Sequence, residues 1–178
     1  MDKMKVAIVG KVHQKGLEFL KNNGFEVLEV SDFNNQNLRN DLKFVDGILL
    51  RTLKLGEDIL SHCTNLKIIS RHGVGFDNVD IDYLNRNKIA LGITSTSNAV
   101  SVAEHVMSFF IYLTKNLSLS DNLVKKGNFE KKSELPNFFE LYKKKVLIVG
   151  FGRIGKEVAK RCQGFDMNVY VYDPFLDS

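Results

Sequence analysis

Short, uninterrupted apolar runs recur along the chain and predict buried β-strands. They are VAIVG at 6–10, VDGILLR at 45–51, LKIIS at 66–70, VLIVG at 146–150 and VYVYD at 169–173. Runs of this kind are typical of parallel strands that helices cover on both faces. Segments with the apolar spacing of helices lie between them, among them 12–22 and 155–164, the latter with Val158, Ala159 and Cys162 on its inner side. This alternation predicts an α/β protein.

The segment 97–116, SNAVSVAEHVMSFFIYLTKN, predicts one long helix with two apolar sides. One side carries Val102, Val106, Phe109, Phe110 and Leu113, and the other carries Ala103, Met107 and Ile111. Because so wide an apolar surface needs cover both from its own domain and from a partner, we expect a homodimer formed through this helix. Ser101 and Glu104 have the spacing of a capping box at its N-terminus. The polar stretch 114–145 predicts a connecting arm that is part helical.

Composition and charge narrow the class of protein. With 44% hydrophobic and 26% charged residues among 178, the chain has the composition of a globular protein. The net charge of +4 is modest. Lysines between 125 and 145 alternate with acids and form no nucleic-acid motif, so we expect no nucleic-acid partner.

The same reading predicts a cytoplasmic protein without a metal. The most apolar stretch, 106–113, is far shorter than the ~20 residues of a membrane span, so we expect no membrane partner. No signal peptide is recognisable at the N-terminus. Cys63 and Cys162 stand far apart and lack metal-ligand spacing, which favours reduced thiols and no metal site.

Three glycines directly follow the run VLIVG and form the spacing GxGxxG. In this context Gly150 permits a tight turn, Gly152 lets the backbone approach a pyrophosphate, and Gly155 lets helix and strand pack closely. The helix that follows would present backbone N–H groups near Arg153 and Ile154 to the phosphates. The sequence therefore predicts a dinucleotide site at this turn.

Asp173 ends the next apolar run, 18 residues after Gly155. A carboxylate at this place accepts hydrogen bonds from the adenosine ribose and repels a 2′-phosphate, so NAD is favoured over NADP. The alternative is that the glycines only make a tight turn and that Asp173 only begins an Asp-Pro turn.

A second glycine loop, RHGVGFDNVD at 71–80, follows the run LKIIS. Gly73 and Gly75 flank Val74, and backbone N–H groups in such a loop can bind a carboxylate. A turn into a helix with Asp80 as N-cap explains the spacing equally well. Arg51, at the end of VDGILLR, is a candidate for holding an acidic substrate group or is an ordinary surface charge.

None of the histidines is predicted to be a catalytic base. His13, His62, His72 and His105 have no acid at a convincing partnering distance in the sequence.

Three segments resemble the D-isomer-specific 2-hydroxyacid dehydrogenases, particularly the phosphoglycerate dehydrogenase-like branch. They are KKVLIVGFGRIGKEVAKRCQGFDMNVYVYDP at 144–174, LKIISRHGVGFDNVD at 66–80 and NAVSVAEHVM at 98–107. The resemblance runs from about residue 45 onward, and the first 44 residues fit only as a generic βαβ unit. It implies a flavodoxin-like substrate-binding domain at 1–97, followed at 98–178 by a Rossmann domain truncated after its second strand.

The resemblance also implies roles for the candidate residues. The backbone amides of Gly73, Val74 and Gly75 would bind the substrate carboxylate, and Arg51 would contact the acidic end of the substrate. Val74, Asn98 and Val102 would approach the nicotinamide of NAD. The pyrophosphate and the adenosine ribose would lie against the residues from Gly150 to Gly155, including Arg153 and Ile154, and against Asp173.

Two departures from the family pattern bear on the activity. Residues 93–96 are Ile-Thr-Ser-Thr where the family has a run like Asn-Thr-Pro-Gly, which bears on the substrate. The family's catalytic arginine, acid and histidine come from later Rossmann strands, so we expect no catalytic residue in this chain and no turnover by it alone.

The predicted function is hydride transfer between NAD(H) and a 2-hydroxy or 2-oxo acid, with 3-phosphoglycerate as the candidate substrate. The alternatives are a non-catalytic module that binds NAD or a carboxylate, and a dimeric interaction protein.

Overall fold

A computed structural model of the chain describes residues 3–176 and divides between Ser95 and Thr96 into two compact units. The first unit alternates strands and helices throughout. Its elements are β1 (Lys5–Val9), α1 (Gln14–Asn22), β2 (Glu26–Val30), α2 (Asn35–Leu42), β3 (Gly47–Leu50), α3 (Glu57–Leu60), β4 (Ile68–Arg71), α4 (Ile81–Asn87) and β5 (Ala90–Ile93).

The strands of the first unit form one parallel sheet in the order β2-β1-β3-β4-β5. This is the flavodoxin-like order, and it confirms the predicted α/β class. The chain adds β2 on one side of β1 and then β3 on the other side, so the strand order switches between β1 and β3. Sheets of this kind bind ligands at such a switch point, at the carboxyl ends of the strands. The side chains that fill the core of this unit are aliphatic, and they include Ala7, Val9, Leu38, Leu42, Val45, Ile48, Leu50, Leu60, Ile69 and Leu84.

Polar side chains cap α1, α2 and α4 of the first unit, whereas α3 begins at Gly56 without a side-chain cap. The side chain of Asn34 accepts a hydrogen bond from the Asn37 N–H at 2.9 Å. Asp80 accepts one from the Tyr83 N–H, also at 2.9 Å, so the prediction that Asp80 caps a helix is confirmed. Each cap satisfies a backbone N–H that the first turn of the helix leaves without a partner.

β2 and β5, which were not among the predicted strands, form the two edges of the sheet. An edge strand has a neighbour on one side only, so it needs less apolar surface than a central strand. The segment EVLEV of β2 has glutamates between its apolar residues, and β5 is only four residues long. Neither has the continuous apolar run that identified the central strands.

The second unit contains three helices and a two-stranded parallel sheet among its described residues. They are α5 (Ala99–Thr114), α6 (Leu117–Lys125), β6 (Lys145–Val149), α7 (Arg153–Gly164) and β7 (Asn168–Tyr172), with a short 3₁₀ turn at Phe129–Glu134. β6 and β7 pair in register from Lys145 opposite Asn168 to Val149 opposite Tyr172. Its core consists mainly of residues from α5, α7 and β6, among them Ala103, Met107, Ile148, Val158, Ala159 and Cys162. The predicted inner side of α7 is therefore confirmed.

The predicted long helix over 97–116 is confirmed as α5, which is two residues shorter at each end. α5 ends at Thr114, and Asn116 adopts a left-handed backbone with φ of 47° before α6 begins. The reversal of φ breaks the helical hydrogen-bond pattern and turns the chain. α6 lies in the segment predicted as a part-helical arm, so that prediction is confirmed.

The predicted capping box at the start of α5, in contrast, is wrong. The Asn98 carbonyl oxygen already accepts a hydrogen bond from the Val102 N–H at 2.9 Å, so the helix begins before Ser101. Glu104 lies too far along α5 to reach back to its N-terminus. Its Oε1 atom accepts a hydrogen bond from Arg161 Nη2 of α7 at 3.3 Å. Within residues 3–176 no helix is long and apolar enough to cross a membrane.

Candidate functional site

The loop between β6 and α7 carries the glycine fingerprint at the carboxyl end of a parallel strand. Its first residue, Gly150, donates its N–H to the carbonyl oxygen of Tyr172 in β7 at 2.7 Å. At its end, the Gly152 carbonyl oxygen accepts a helical hydrogen bond from the Lys156 N–H at 3.0 Å. The strand, loop and helix that a dinucleotide fingerprint requires are therefore all present.

Each of the three glycines meets a different physical demand. Gly150 has a φ of 93°, which a residue with a Cβ rarely adopts. A Cβ on Gly155 would overlap the Gly150 carbonyl oxygen and would lie 3.4 Å from Ile148 Cγ2, so this glycine lets α7 pack against the strand. A Cβ on Gly152 would meet no protein atom within 4 Å. Packing within the described residues therefore does not explain the glycine at position 152.

Asp173 follows β7 and faces this loop. Its Oδ2 atom accepts a hydrogen bond from the Phe151 N–H at 2.6 Å, and its Oδ1 atom accepts one from the Phe175 N–H at 3.0 Å. The Phe175 N–H, then the Phe151 N–H and then the charge of Lys156 hold the pKa of the Asp173 carboxyl below its usual value. Asp173 is thus an ionised carboxylate at neutral pH.

The start of α7 is electrostatically suited to an anion. Arg153 and Ile154 form its first turn, and the positive end of the helix dipole lies at the glycine loop. First-turn N–H groups point out of the N-terminal end of a helix, where they can bind a phosphate. The Lys156 Nζ atom lies 6.0 Å from the centre of the Phe151 ring and adds positive charge on the same side.

The second glycine loop lies in the first unit, where β4 ends. The Gly73 N–H donates to the Arg71 carbonyl oxygen at 2.9 Å, and the Gly73 carbonyl oxygen accepts from the Thr94 N–H at 3.0 Å. These bonds hold the loop between β4 and β5, and Val74 and Gly75 follow directly. The loop therefore begins at the carboxyl edge of the sheet, where a parallel sheet binds its ligands.

Arg51 lies at the same edge, after β3. It is exposed, and its Nη1 atom donates to the Lys11 carbonyl oxygen at 2.9 Å. It also lines a cavity of about 680 Å³, together with Gly10, Lys11, Gln14, Phe33 and Thr52. The cavity opens where β1, β2 and β3 end, and residues 73–75 do not line it. The structure therefore brings Arg51 and the glycine loop to neighbouring strand ends but directs Arg51 toward the loop after β1.

The sequence of the chain matches the family described as D-isomer specific 2-hydroxyacid dehydrogenase, catalytic domain, over residues 6–165. The chain belongs to this family. The match includes both glycine loops.

Known members of this family are similar to almost the whole chain. A D-3-phosphoglycerate dehydrogenase of Archaeoglobus fulgidus is 32% identical over 174 residues, which are 97% of this chain and 33% of the relative. A D-3-phosphoglycerate dehydrogenase of Bacillus subtilis is 34% identical over 173 residues, which are 97% of this chain and 32% of the relative. The chain thus spans about a third of the length of these relatives.

Solved structures agree with this family and with the α/β fold. A D-lactate dehydrogenase of Aquifex aeolicus, solved with NAD and lactic acid, is 30% identical with a TM-score of 0.83. The match covers 97% of this chain and 52% of the Aquifex chain. An NAD+-bound 3-phosphoglycerate dehydrogenase of Entamoeba histolytica is 28% identical with a TM-score of 0.79. This match covers 99% of this chain and 56% of the Entamoeba chain. Both structures extend well beyond the part that this chain matches.

Arg71 is a charged residue at the carboxyl edge of the first unit's sheet that was not among the predicted site residues. Its Nη1 atom donates to the His72 carbonyl oxygen at 2.8 Å, and its Nε atom is buried without a hydrogen-bond partner among the described residues. A Cβ on Gly73 would overlap the Arg71 guanidinium, so the glycine makes room for this charge. The signal was an arginine at the carboxyl end of a central strand, the same kind of position that identified Arg51.

Asn98 and Val102 occupy the start of α5 in the second unit. Asn98 is the residue before the helix, and Val102 lies one turn further on and is half-buried. The nicotinamide contacts expected of Val74, Asn98 and Val102 stay predictions. Within the part of the chain that the structure describes, no three histidine, cysteine, aspartate or glutamate side chains are grouped so that they could hold a metal ion.

Proposed function

We propose that the chain contains the substrate-binding unit and the first nucleotide-binding elements of an NAD-dependent dehydrogenase. The reaction is hydride transfer between NAD(H) and a small 2-hydroxy or 2-oxo acid. The observation that carries the proposal is the glycine loop after β6, with Asp173 against its centre. The open space at Gly152 fits a pyrophosphate, because a side chain there would fill the room through which the backbone approaches the phosphates.

Bound NAD would supply the hydride carrier, and the residues of this chain would bind and orient it. We assign the pyrophosphate to the loop 150–155 and to the first turn of α7, including Arg153 and Ile154. We assign the adenosine ribose to Asp173. The ionised carboxylate favours NAD because it would repel the 2′-phosphate of NADP. The Aquifex and Entamoeba structures, both solved with NAD, support this choice.

The substrate would bind to the first unit. We assign its carboxylate to the backbone N–H groups of Gly73, Val74 and Gly75. We assign its further acidic group to Arg51. The guanidinium of Arg71, next to Gly73, would add positive charge. The phosphoglycerate dehydrogenases of Archaeoglobus fulgidus and Bacillus subtilis favour 3-phosphoglycerate as the substrate. In this scheme residues 1–97 bind the substrate and residues 98–178 bind the nucleotide.

We also propose that the 178-residue chain binds NAD without turning over substrate. Proton transfer in this chemistry needs an acid or base held in position, which typically contributes ~10²–10⁴-fold to the rate. Among residues 3–176 no histidine side chain forms an ion pair with a carboxylate. The His13 Nδ1 atom instead accepts a hydrogen bond from the Lys15 N–H at the start of α1, and the His105 ring lies against the Phe109 ring in a tilted arrangement.

Calorimetric titration of the chain with NADH tests the nucleotide site. We expect saturable binding, with NADPH bound about tenfold more weakly because of the charge of Asp173. A mixture of the chain, NADH and 2-oxo acids should show no oxidation of NADH above the rate without protein. No saturable heat up to millimolar NADH would contradict the assignment of the glycine loop to a dinucleotide.

The exposed side of α5 supports a homodimer formed through the segment 97–116. Phe109, Tyr112 and Leu113 are exposed there, Leu113 by 68%, while Ala103 and Met107 are buried within the second unit. Apolar surface of this kind is typical of an interface between proteins. Light scattering at micromolar concentration should give twice the chain mass of 20.2 kDa, and Leu113→Lys should lower it. A mass of 20.2 kDa for the unsubstituted chain would end the dimer proposal.

A further inference from the structure

Asp173 joins the end of β7 to the middle of the glycine loop, 22 residues earlier in the chain. One carboxylate oxygen accepts the Phe151 N–H at 2.6 Å, and the other accepts the Phe175 N–H at 3.0 Å. Phe151 lies between Gly150 and Gly152, so the first of these bonds reaches the centre of the fingerprint. We propose that Asp173 positions the phosphate loop through this bond, in addition to its assigned contact with the ribose.

The loop needs a restraint of this kind because of its own composition. Three residues, 150–152, lie between β6 and α7, and two of them are glycines. Glycine loses more conformational freedom on ordering than any other residue. The Gly150 N–H is held by the last hydrogen bond to β7, but the Phe151 N–H lies beyond the strand pairing. A backbone N–H without a partner is costly, and a carboxylate is a stronger acceptor than a carbonyl oxygen. Asp173 thus fixes the one N–H group that separates the two glycines.

The carboxylate can hold the loop and accept a ribose at the same time. Each of its oxygens has two acceptor positions, and each uses one for a backbone N–H. The two remaining positions suit the two hydroxyl groups of an adenosine ribose. One side chain therefore connects the recognition of the ribose with the shape of the pyrophosphate site. Exchanging Asp173 for a small neutral residue to admit NADP would then also disturb the site for the pyrophosphate.

Removing Asp173 should change the affinity for inorganic pyrophosphate in opposite directions under the two roles. If Asp173 contacted only the ribose, its removal would take a negative charge away and would strengthen the binding of inorganic pyrophosphate, which has no ribose. If Asp173 positions the loop, Asp173→Ala weakens the binding of inorganic pyrophosphate in spite of the lost charge. Asp173→Asn removes the same charge but keeps an oxygen that can accept the Phe151 N–H.

The experiment compares the 178-residue chain with its Asp173→Ala and Asp173→Asn variants, with Asp166→Asn as the control. Asp166 is an exposed aspartate of the same unit with φ of 53°, a backbone that asparagine also adopts. Amide hydrogen exchange is measured first, without any ligand. We expect the Phe151 amide to exchange roughly tenfold faster in Asp173→Ala and near the original rate in Asp173→Asn and in the control. The amides of α7 should keep their exchange rates in all four proteins.

Inorganic pyrophosphate is then titrated and followed by the amide shifts of the loop. Weaker binding by Asp173→Ala than by Asp173→Asn supports the positioning role, and equal or stronger binding by Asp173→Ala overturns it. An unchanged exchange rate of the Phe151 amide in Asp173→Ala also overturns it. The inference rests on the proposed function only for its ligand. If no protein binds pyrophosphate or NADH but the exchange rates change as expected, the proposed function fails while Asp173 still positions the loop.

Discussion

Replacing Gly155 with alanine is expected to lower the free energy of unfolding of the second unit by about 3 kcal/mol. The added Cβ would overlap the Gly150 carbonyl oxygen and would press on Ile148. Both atoms belong to the strand-loop side of the contact, and neither is the far end of a flexible side chain that could turn away. α7 would have to move away from β6, and the apolar contacts of Val158 and Ala159 with the strand would loosen.

Native-state hydrogen exchange is the suitable measurement, because it reports on each unit separately. The amides of β6 and α7 should lose protection in Gly155→Ala, and those of β1, β3 and β4 should not. Gly164→Ala in the same helix is the matched control. A Cβ there meets no atom within 4 Å, so this variant should be neutral or more stable by about 0.5–1 kcal/mol. Equal protection in the two variants would show that Gly155 is not needed for packing.

Replacing Gly152 with alanine is expected to weaken NADH binding on the order of 100-fold and to leave stability unchanged. Gly152 has a φ of −73°, which alanine adopts without strain, and its Cβ would meet no protein atom within 4 Å. The Cβ would instead project into the space assigned to the pyrophosphate and hold it away from the loop. The loss corresponds to one or two hydrogen bonds to a charged group, each ~1.5–3 kcal/mol.

Two measurements on Gly152→Ala separate binding from folding. Calorimetry should show NADH affinity reduced by about two orders of magnitude, while hydrogen exchange of β6 and α7 should match the unsubstituted chain. Gly164→Ala again serves as control and should bind NADH as the unsubstituted chain does. Full NADH affinity in Gly152→Ala would mean that the dinucleotide does not approach the loop. Loss of protection would mean that Gly152 has a packing role that the structure does not indicate.

Most of the architecture was predictable because burial on both faces requires continuous apolar runs. The central strands β1, β3 and β4 of the first unit carry such runs, as do β6 and β7 of the second unit, and the spacing in α7 identified its inner side. The edge strands β2 and β5 carry weaker patterns, because one side of each has no neighbouring strand. The apolar spacing also identified α5, whereas the left-handed backbone of Asn116, which separates α5 from α6, has no apolar signature.

The residues of the candidate site were predictable in part. Gly150, Gly152 and Gly155 were identified from their spacing. The structure shows that Gly150 is required by its backbone conformation and Gly155 by the packing of α7 on the strand. Arg71 was overlooked because its position is distinctive only once Gly73 is seen to make room for its guanidinium. The direction of Arg51 depends on a contact with the carbonyl oxygen of Lys11, which lies 40 residues earlier in the chain.

By itself the sequence determined the α/β class, the family and the turn that carries the dinucleotide fingerprint, because each follows from local patterns of apolar residues and glycines. Only the tertiary structure decided which atoms those residues touch. It brought the Asp173 carboxylate to the Phe151 N–H, directed Arg51 toward the loop after β1, and paired Glu104 with Arg161 instead of with the helix end. Such contacts join residues that are far apart in the chain, and their partners follow from how strands and helices pack, which no local pattern contains.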